Sequence, residues 1–421
     1  MKTFKTALIS LGKWIAISIV IGLSVGFVSS IFSKSITMVT KFRLEHPWML
    51  LGLPAAGLLT VFLYKAAGRE GDHGTNTVIE AVRTQKPIPL VVTPLIVIST
   101  MLTHLFGGSA GREGAALQLG GSMASFTAEK LHMNESDAEI MIMAGMSAAF
   151  AALFGTPIAA TILPMEFVSV GVLYYAALVP CVLSAFIAHS LAVYLKAATL
   201  QAPYAVTDVP SLYSLAFPKV IILGIACAVV GIFFCISLHF CSTNFQKWIK
   251  NPYLRIAAGG AAVVLLALLL HTQDYCGVGR EVILESFQGT APPYAFILKI
   301  VFTCLTLCAG YKGGEIVPSF FIGASLGCLM SGFLGMPADI CTACGMCGVF
   351  CAVTNSPISS ILIALELFGG SGMGFFALCI AVSYMLSGYY SVFSAQKIVY
   401  SKTEAKFIDR VSGDSFKRLE K

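Results

Sequence analysis

Residues 145–166 read GMSAAFAALFGTPIAATILPME, and residues 345–366 repeat the pattern as GMCGVFCAVTNSPISSILIALE. A Gly-Met pair, a phenylalanine, a Pro-Ile pair and the closing glutamate all recur at an offset of 200 positions. Both segments are mostly apolar and carry no charge apart from that glutamate, so the match is one of particular residues within a hydrophobic background. This pattern indicates an internal duplication.

Further segment pairs recur in the same order: GREGAALQLGGS from Gly111 with GGEIVPSFFIGAS from Gly313, and GTNTVIEAVRTQKPIP from Gly74 with GVGREVILESFQGTAPP from Gly277. In the first pair Glu113 matches Glu315, at an offset of 202. Three ordered matches at nearly one offset predict two homologous halves. The residues leave open whether the halves are inverted or parallel. Transporters commonly bind their substrate where two such repeats meet, on interrupted helices.

The composition predicts an all-α polytopic membrane protein. Hydrophobic residues make up 57% of the 421 positions and charged residues 11%, against roughly a quarter charged in soluble domains. Five uncharged runs approach or exceed the ~20 residues that span a bilayer as helix: Trp14–Ser33, Phe167–Leu195, Val220–Gln246, Ile340–Leu365 and Leu367–Gln396. Other apolar stretches are short or broken by Gly and Pro, so we expect some helices to end partway through the membrane.

The charge pattern predicts orientation and domain limits. Lys and Arg exceed Asp and Glu by six, largely at the two ends of the chain, so both termini are expected in the cytoplasm of a plasma-membrane protein. Orientation explains these basic ends without a nucleic-acid partner. The predicted organisation is an N-terminal segment at 1–13, a first membrane repeat at 14–195, a linker at 196–215, a second membrane repeat at 216–400 and a cytoplasmic tail at 401–421.

Four cysteines raise a redox alternative, because Cys341, Cys344, Cys347 and Cys351 have the C-x2-C-x2-C-x3-C spacing of bacterial iron–sulfur proteins. The corresponding first-half positions, 141, 144, 147 and 151, carry Met, Ala, Ser and Ala. On a helix these positions form one stripe of small residues, which membrane helices use for close packing. We expect a structural stripe, and a membrane redox protein is the minor alternative.

Glu113 and Glu315 are the main candidate functional residues. Both follow glycines and precede an apolar run. Burying an ionisable side chain in a membrane segment is energetically unfavourable, so such a residue indicates a functional site. A helix that starts there presents free N–H groups and the positive end of its dipole to an anion. Burial disfavours the charged form of a carboxyl, so Glu113 could both occupy the site and carry a proton. The alternatives are a helix-capping role for Glu113 and a surface ion pair of Glu315 with Lys312.

Other polar groups could complete an anion site. Thr75 and Asn76 follow Gly74 ahead of a short amphipathic segment, where they either donate to an anion or cap the helix. Tyr390 follows a long apolar run and either donates its phenol to an anion or lies at the membrane interface. Glu166 and Glu366 close the Pro-Ile segments, where an interfacial position is the favoured interpretation.

The chain resembles the CLC family of chloride channels and proton-coupled anion antiporters along its whole membrane region. GREGA at 111–115 is similar to the family's GREGP element, with Ala115 in place of proline, and GGEIVPSFFIGASLG is similar to its G-G-x-F-x-P element. Tyr390 stands where the family has a central tyrosine, and Thr75 stands at the serine of its GSGIP element. The resemblance implies a homodimer of CLC-type inverted repeats with tilted and partly spanning helices. It also implies that Glu113 is the gate and proton carrier.

Departures from the common pattern resemble the fluoride/proton antiporter branch of that family. Glu315 replaces a residue that is usually apolar, GTNTV replaces GSGIP, and Phe167 stands where many chloride/proton antiporters have a second glutamate. The branch usually has Met or Asn at the Thr75 position and often Thr at the Val317 position, which this chain lacks. The anion-binding residues expected from the resemblance are Thr75, Asn76, Gly114, Ala115, Glu315, Ile316, Val317 and Tyr390.

The sequence therefore predicts a transporter rather than an enzyme, with no cofactor. Its expected partners are fluoride or chloride, protons, the lipid bilayer and a second copy of the chain. Fluoride is small, basic and strongly hydrated, so it needs strong hydrogen-bond donors to replace its water, whereas chloride tolerates a weaker shell. Fluoride export coupled to proton entry is the favoured function. A chloride/proton antiporter or a voltage-gated-type chloride channel is the alternative.

Overall fold

The computed structural model describes residues 2–197 and 206–417. Its α-helices are α1 (Lys2–Glu45), α2 (Leu53–Ala66), α3 (Thr75–Thr84), α4 (Val92–Leu105), α5 (Glu113–Lys130), α6 (Glu135–Phe154), α7 (Pro157–Val168), α8 (Leu178–Tyr194), α9 (Phe217–Trp248), α10 (Pro252–Leu269), α11 (Arg280–Phe287), α12 (Ala295–Leu307), α13 (Ile316–Leu334), α14 (Ala338–Thr354), α15 (Pro357–Phe368), α16 (Met373–Leu386) and α17 (Asp414–Lys417). Short 3-10 turns (Pro47–Gly52, Tyr175–Ala177) and a π-helical turn (Leu212–Ala216) connect them. Residue 1, residues 198–205 of the predicted linker and residues 418–421 of the predicted tail lie outside the described residues.

The described part of the chain contains seven segments that are long and apolar enough to cross a membrane: Phe4–Glu45, Pro47–Ala66, Glu135–Phe154, Tyr175–Tyr194, Phe217–Trp248, Pro252–Leu269 and Ile316–Leu334. The prediction of a polytopic helical membrane protein is confirmed. Helix α1 begins at Lys2, so the segment predicted to precede the first span belongs to the same helix.

Three of the five uncharged runs are not single spans, which corrects the sequence interpretation: Phe167–Leu195 contains the end of α7 and then α8, Ile340–Leu365 contains most of α14 and α15, and Leu367–Gln396 contains the end of α15 and then α16. Helix α14 ends at Thr354 because Asn355 adopts a left-handed conformation (φ 58°) and Pro357, which lacks an N–H, starts α15. Gly155 (φ 72°) and Pro157 separate α6 from α7 in the same way. The 12-residue helices α7 and α15 are about 18 Å long at 1.5 Å per residue, too short to cross a ~30 Å hydrocarbon layer. Helices that end partway through the membrane are thus confirmed.

Helices α7 and α15 establish that the two repeats are inverted. Glu166, near the end of α7, accepts backbone N–H hydrogen bonds from Ile358 (3.1 Å) and Ser359 (2.8 Å) at the start of α15. Glu366, near the end of α15, accepts one from Ile158 (2.9 Å) at the start of α7. The end of each helix therefore meets the start of the other, and the two equivalent helices run antiparallel. These glutamates are reciprocal helix caps rather than the interfacial groups expected from the sequence.

We predict that Glu166→Gln destabilises the protein by roughly 1–3 kcal/mol, because a buried helix start loses a charged acceptor. Glu166 is 5% exposed and also accepts a hydrogen bond from the Ser359 hydroxyl (2.5 Å). Thermal unfolding in detergent measures the effect. Glu45→Gln is the control, because that side chain is 57% exposed at the end of α1. Equal unfolding midpoints for the two variants would contradict the capping role.

Glycines bring α5 onto α6 and α13 onto α14. A Cβ built on Gly120 would lie 2.2 Å from the Gly145 carbonyl oxygen, and one built on Gly323 would lie 2.2 Å from the Gly345 carbonyl oxygen. Such distances leave no room for a side chain. The two repeats thus contain the same close helix pair.

A small sheet, which the sequence did not predict, lies at the carboxyl end of the chain. Strand β2 (Lys397–Tyr400) pairs parallel to β1 (Ser169–Val170) and antiparallel to β3 (Phe407–Val411). Phe416 follows β3, is 2% exposed and stacks on His239 of α9 at 4.2 Å between ring centroids. The predicted tail is therefore folded back onto the helices.

Candidate anion pathway

Two glycine-rich loops meet in front of the starts of α5 and α13. The Gly111 N–H donates to the Gly314 carbonyl (2.8 Å), and the Gly314 N–H donates to the Gly111 carbonyl (2.9 Å), as in an antiparallel bridge. A Cβ built on Gly314 would lie 2.7 Å from the backbone nitrogen of Gly114. Glycine is therefore required for this approach, which brings two helix starts from different repeats to one place.

The Glu113 carboxylate occupies the start of the opposite helix. It is fully buried, and its Oε1 accepts a hydrogen bond from the backbone N–H of Val317 in the first turn of α13 (3.0 Å). Its Oε2 is buried and has no hydrogen-bond partner among the described residues. Gly111 and Gly314 border this carboxylate so closely that a Cβ on either would clash with it. A negative group thus fills a helix start that could hold a free anion.

The structure corrects the expected equivalence of Glu113 and Glu315. The symmetric bridge pairs Gly111 with Gly314, an offset of 203 rather than 202. Glu113 is the first residue of α5, whereas Glu315 is the N-cap residue that precedes α13, as Arg112 precedes α5. The two glutamates therefore occupy different positions in their repeats, which is why their side chains point to different places.

Glu315 lines a large open cavity of about 1260 Å³. Thr75, Asn76 and Gln118 line the same cavity. The alternative of an ion pair between Lys312 and Glu315 is wrong, because Lys312 forms its ion pair with Asp72, with 3.9 Å between Nζ and Oδ2. Glu315 thus lines the cavity on a loop whose neighbouring residue, Gly314, borders the Glu113 carboxylate.

Thr75 and Asn76 differ in how they relate to this centre. Thr75 begins α3, is 5% exposed, and its Oγ1 would lie 2.7 Å from a Cβ on Gly114. Asn76 accepts a hydrogen bond from the backbone N–H of Ala395 (3.0 Å), so its carbonyl oxygen faces the carboxyl-terminal segment. Thr75 is therefore the hydroxyl that the fold places beside the start of α5.

The remaining predicted residues fall into two groups. Four of them lie in the first turns of α5 and α13 and are buried: Gly114, Ala115, Ile316 and Val317. Tyr390 lies apart from them in its contacts: its ring packs edge-on against Phe416 (5.6 Å), and its carbonyl accepts from the Asn355 side chain (3.0 Å). It is not one of the described residues that line the cavity.

The structure adds Gln118, which the sequence reasoning missed. It lies one turn into α5, is 1% exposed and lines the cavity beside Thr75. The available signal was its position, five residues after Glu113 in an otherwise apolar and small-residue stretch.

The four cysteines of the C-x2-C-x2-C-x3-C run lie on one regular helix, α14, as expected for a packing stripe. Cys341 and Cys351 are ten positions apart, which is about 15 Å along a helix axis. That separation prevents the four sulfurs from converging on one cluster. The Cys341 carbonyl oxygen would lie 2.2 Å from a Cβ on Gly327 of α13, so α13 and α14 approach closely at this end of the stripe.

We predict that alanine replacements at Cys341, Cys344, Cys347 and Cys351, one at a time, retain ion transport and monodisperse behaviour. All four thiols are buried and free, and alanine keeps a small side chain at each of these packing positions. Anion efflux from proteoliposomes and size-exclusion chromatography measure the two properties. Loss of transport together with loss of an iron absorbance band would contradict the packing role.

An inverted duplication in which two helix starts converge at the repeat interface is an arrangement typical of membrane transport proteins. A family model described as voltage gated chloride channel matches residues 52–388. The chain belongs to that family, and the resemblance stated from its sequence is confirmed.

Individual relatives support this assignment. A chloride/fluoride channel protein of Pseudomonas syringae pv. tomato is 33% identical over 399 residues, covering 93% of this chain and 88% of that protein. The crystal structure of a CLC-type fluoride/proton antiporter has a TM-score of 0.88 at 35% identity, covering 93% of this chain and 98% of that one. A slow cyanobacterial Cl⁻/H⁺ antiporter has a TM-score of 0.77 at 18% identity over 96% and 97% of the chains, which supports the fold alone.

Proposed function

We propose that the chain is a proton-coupled antiporter that exports fluoride in exchange for protons. The observation that carries this proposal is the Glu113 carboxylate, hydrogen-bonded to the Val317 N–H at the start of α13. A carboxylate held where an anion could bind competes with the transported anion. When the carboxylate is protonated it loses its charge and releases the helix start to an anion. One group thereby alternates between closing the pathway and carrying a proton.

The second carboxylate favours a small, basic anion. Glu315 borders the cavity beside the start of α13. An ionised Glu315 would repel any anion, whereas a protonated Glu315 donates a strong hydrogen bond. Fluoride gains more than chloride from such a donor, together with the Thr75 hydroxyl and the backbone N–H groups of Gly114, Ala115, Ile316 and Val317. The relatives described as fluoride/proton antiporter and as chloride/fluoride channel agree with this choice.

We place both termini in the cytoplasm of a plasma-membrane protein, as the bias of Lys and Arg predicts. The span Phe4–Glu45 then reaches the outer face, and Pro47–Ala66 returns to the inner face. Tyr64 and Lys65, at the end of that return, line the cavity. The cavity is therefore the cytoplasmic entrance, and Glu113 separates it from the outer face.

We further propose a homodimer in which each subunit has its own pathway. Both helix starts, Glu113, Glu315 and Thr75 come from a single chain, so no part of the centre has to be supplied by a second copy. The repeats retain their sequence limits in this proposal, 14–195 and 216–400, except that residues 2–13 continue the helix of the first span; residues 196–215 and 401–421 are placed outside the repeats.

The function is tested by ion efflux from proteoliposomes, followed with fluoride, chloride and pH electrodes. We expect fluoride to leave faster than chloride and protons to move in the opposite direction. Faster chloride efflux with counter-moving protons would assign the protein as a chloride/proton antiporter. Anion efflux without proton movement would assign it as a channel.

A further inference from the structure

Three cysteines lie together where α9 packs against α12. Cys241 belongs to α9, Cys304 lies in the last turn of α12, and Cys308 is the C-cap residue of α12. The thiols of Cys241 and Cys304 form a hydrogen bond across the two helices, in which either sulfur can donate, and Cys304 interacts in the same way with Cys308. The Cys308 thiol also donates to the Leu238 carbonyl oxygen of α9 (3.3 Å). These three residues form a thiol cluster that joins the two helices.

The thiol cluster lies at the wall of the large cavity. Cys308 lines that cavity, as does Ser242, which follows Cys241 on α9. Cys241 is half-buried, whereas Cys304 is 4% exposed. The cluster therefore contains an accessible thiol, Cys241, in contact with a buried one, Cys304.

A positive charge lies beside the thiol cluster. Arg255 lines the cavity, and its Nε donates to the carbonyl oxygen of Ala309, the residue after Cys308 (3.4 Å). A neighbouring cation favours the thiolate, which is the form of cysteine that attacks a disulfide. The surroundings of the cluster thus favour thiol–disulfide exchange at the cavity wall.

A second group of three thiols is in contact but enclosed. The Cys379 thiol of α16 forms hydrogen bonds with the thiols of Cys227 and Cys344. A Cβ on Gly348 would lie 3.0 Å from the Cys227 sulfur and 3.1 Å from the Cys379 sulfur. All three thiols are buried, and none of them is among the described residues that line the cavity. This enclosed group has the role of small apolar side chains and provides a matched control for the cluster at the cavity.

The position of the thiol cluster connects it to the transport centre. Cys308 begins the segment that runs from α12 to Glu315, and residues 307–313 of that segment line the cavity together with Glu315. A covalent bond between α9 and α12 would hold the beginning of this segment against α9. Movement of Glu315 and of the start of α13 during transport would then be restrained.

We propose that Cys241 and Cys304 form a reversible disulfide that slows anion transport, by exchange with a low-molecular-weight disulfide. The Cys241 thiolate attacks one sulfur of that disulfide, which breaks its S–S bond, forms a mixed disulfide and releases one small thiol. The Cys304 thiolate then attacks the Cys241 sulfur and releases the second small thiol. The protein loses two electrons and two protons, and the small disulfide gains both. In the proposed orientation the reagent is cytoplasmic, where disulfides are usually transient and regulatory.

The chemical test uses the purified full-length protein in detergent. It is treated with oxidised glutathione, its remaining thiols are blocked with N-ethylmaleimide, and its peptides are mapped by mass spectrometry. We expect a peptide pair linked through Cys241 and Cys304, which dithiothreitol separates. Cys379→Ala, from the enclosed group, should give the same linked pair. The absence of any reaction, a glutathione adduct that persists on Cys241, or a link to Cys308 instead would each overturn the inference.

Anion efflux from proteoliposomes measures the effect on transport. We expect oxidation to slow wild-type efflux by at least about fivefold, because the restrained segment must move, and dithiothreitol to restore it. Cys241→Ala and Cys304→Ala should be insensitive to oxidation, whereas Cys379→Ala should respond as the wild type does. Unchanged efflux from linked wild type, or equal slowing in Cys241→Ala, overturns the inference. If an alanine variant does not elute as a single species, serine at the same position replaces it with the same expectation.

The result is independent of the proposed function, because efflux of either fluoride or chloride serves as the readout. A wild type that moves anions without protons would overturn the proposed antiport, and the oxidation experiment would still decide whether the thiol cluster controls transport.

Discussion

Glu113→Gln is expected to lower proton flux by roughly 100-fold or more, to the level of empty liposomes. Glutamine keeps the shape of the side chain and an oxygen that accepts from the Val317 N–H. It cannot take up or release a proton in the physiological range. Exchange of fluoride for protons should therefore end, while the fold is retained. Fluoride and pH electrodes on the same proteoliposomes measure the two fluxes.

The control for this variant is Glu129→Gln, which changes an exposed glutamate near the end of the same helix. We expect its proton flux to equal that of the wild type. Proton movement that persists in Glu113→Gln would remove Glu113 from the proton route and, with it, the main support for antiport. Size-exclusion chromatography distinguishes loss of transport from loss of folded protein.

Gly323→Ala is expected to destabilise the protein by about 1–3 kcal/mol or more, because backbone has to move to admit the methyl group. A Cβ at this position would lie 2.2 Å from the Gly345 carbonyl oxygen and 2.8 Å from the Cα of Met346. Neither atom belongs to a flexible side chain. The start of α13 holds the Val317 N–H, so a shift of α13 should also lower transport.

Gly332→Ala is the matched control on the same helix, because a Cβ there would meet no atom within 4 Å. Alanine is a better helix former than glycine by about 1 kcal/mol, so this variant should be as stable as the wild type or slightly more so. Thermal unfolding of the two variants in one detergent makes the comparison. Equal midpoints would mean that the helix pair α13 and α14 is less tightly packed than its geometry indicates.

The fold was predictable from the sequence because duplication leaves a record in particular residues. The Pro-Ile pairs that start α7 and α15 act locally, through a missing N–H, and were visible as a repeat. The direction of the second repeat was not predictable from the repeat alone, since a match of residues carries no sign of orientation. Only the contacts of Glu166 and Glu366 across the molecule reveal it.

The site was predictable in its type but not in its register. Glycines followed by Glu113 indicated a helix start, and the structure places Glu113 at one. The sequence alignment that paired Glu113 with Glu315 was wrong by one position. It matched the two glutamates of similar loops, whereas the backbone bridge aligns Gly111 with Gly314. Gln118 was missed because a single amide in an apolar helix is a weak signal until the structure places that residue at the cavity.

The reciprocal caps have a consequence for the order in which the chain is made. The N–H groups at the start of α7 donate to the carboxylate of Glu366, which the ribosome adds 208 residues after Ile158. At ~5–20 residues per second, that interval is roughly 10–40 s. During that interval the first half lies in the bilayer, and the start of α7 lacks its acceptor. The acceptor arrives only when the second half inserts. A chain that stalls between the halves therefore keeps the start of α7 without the carboxylate that accepts its N–H groups.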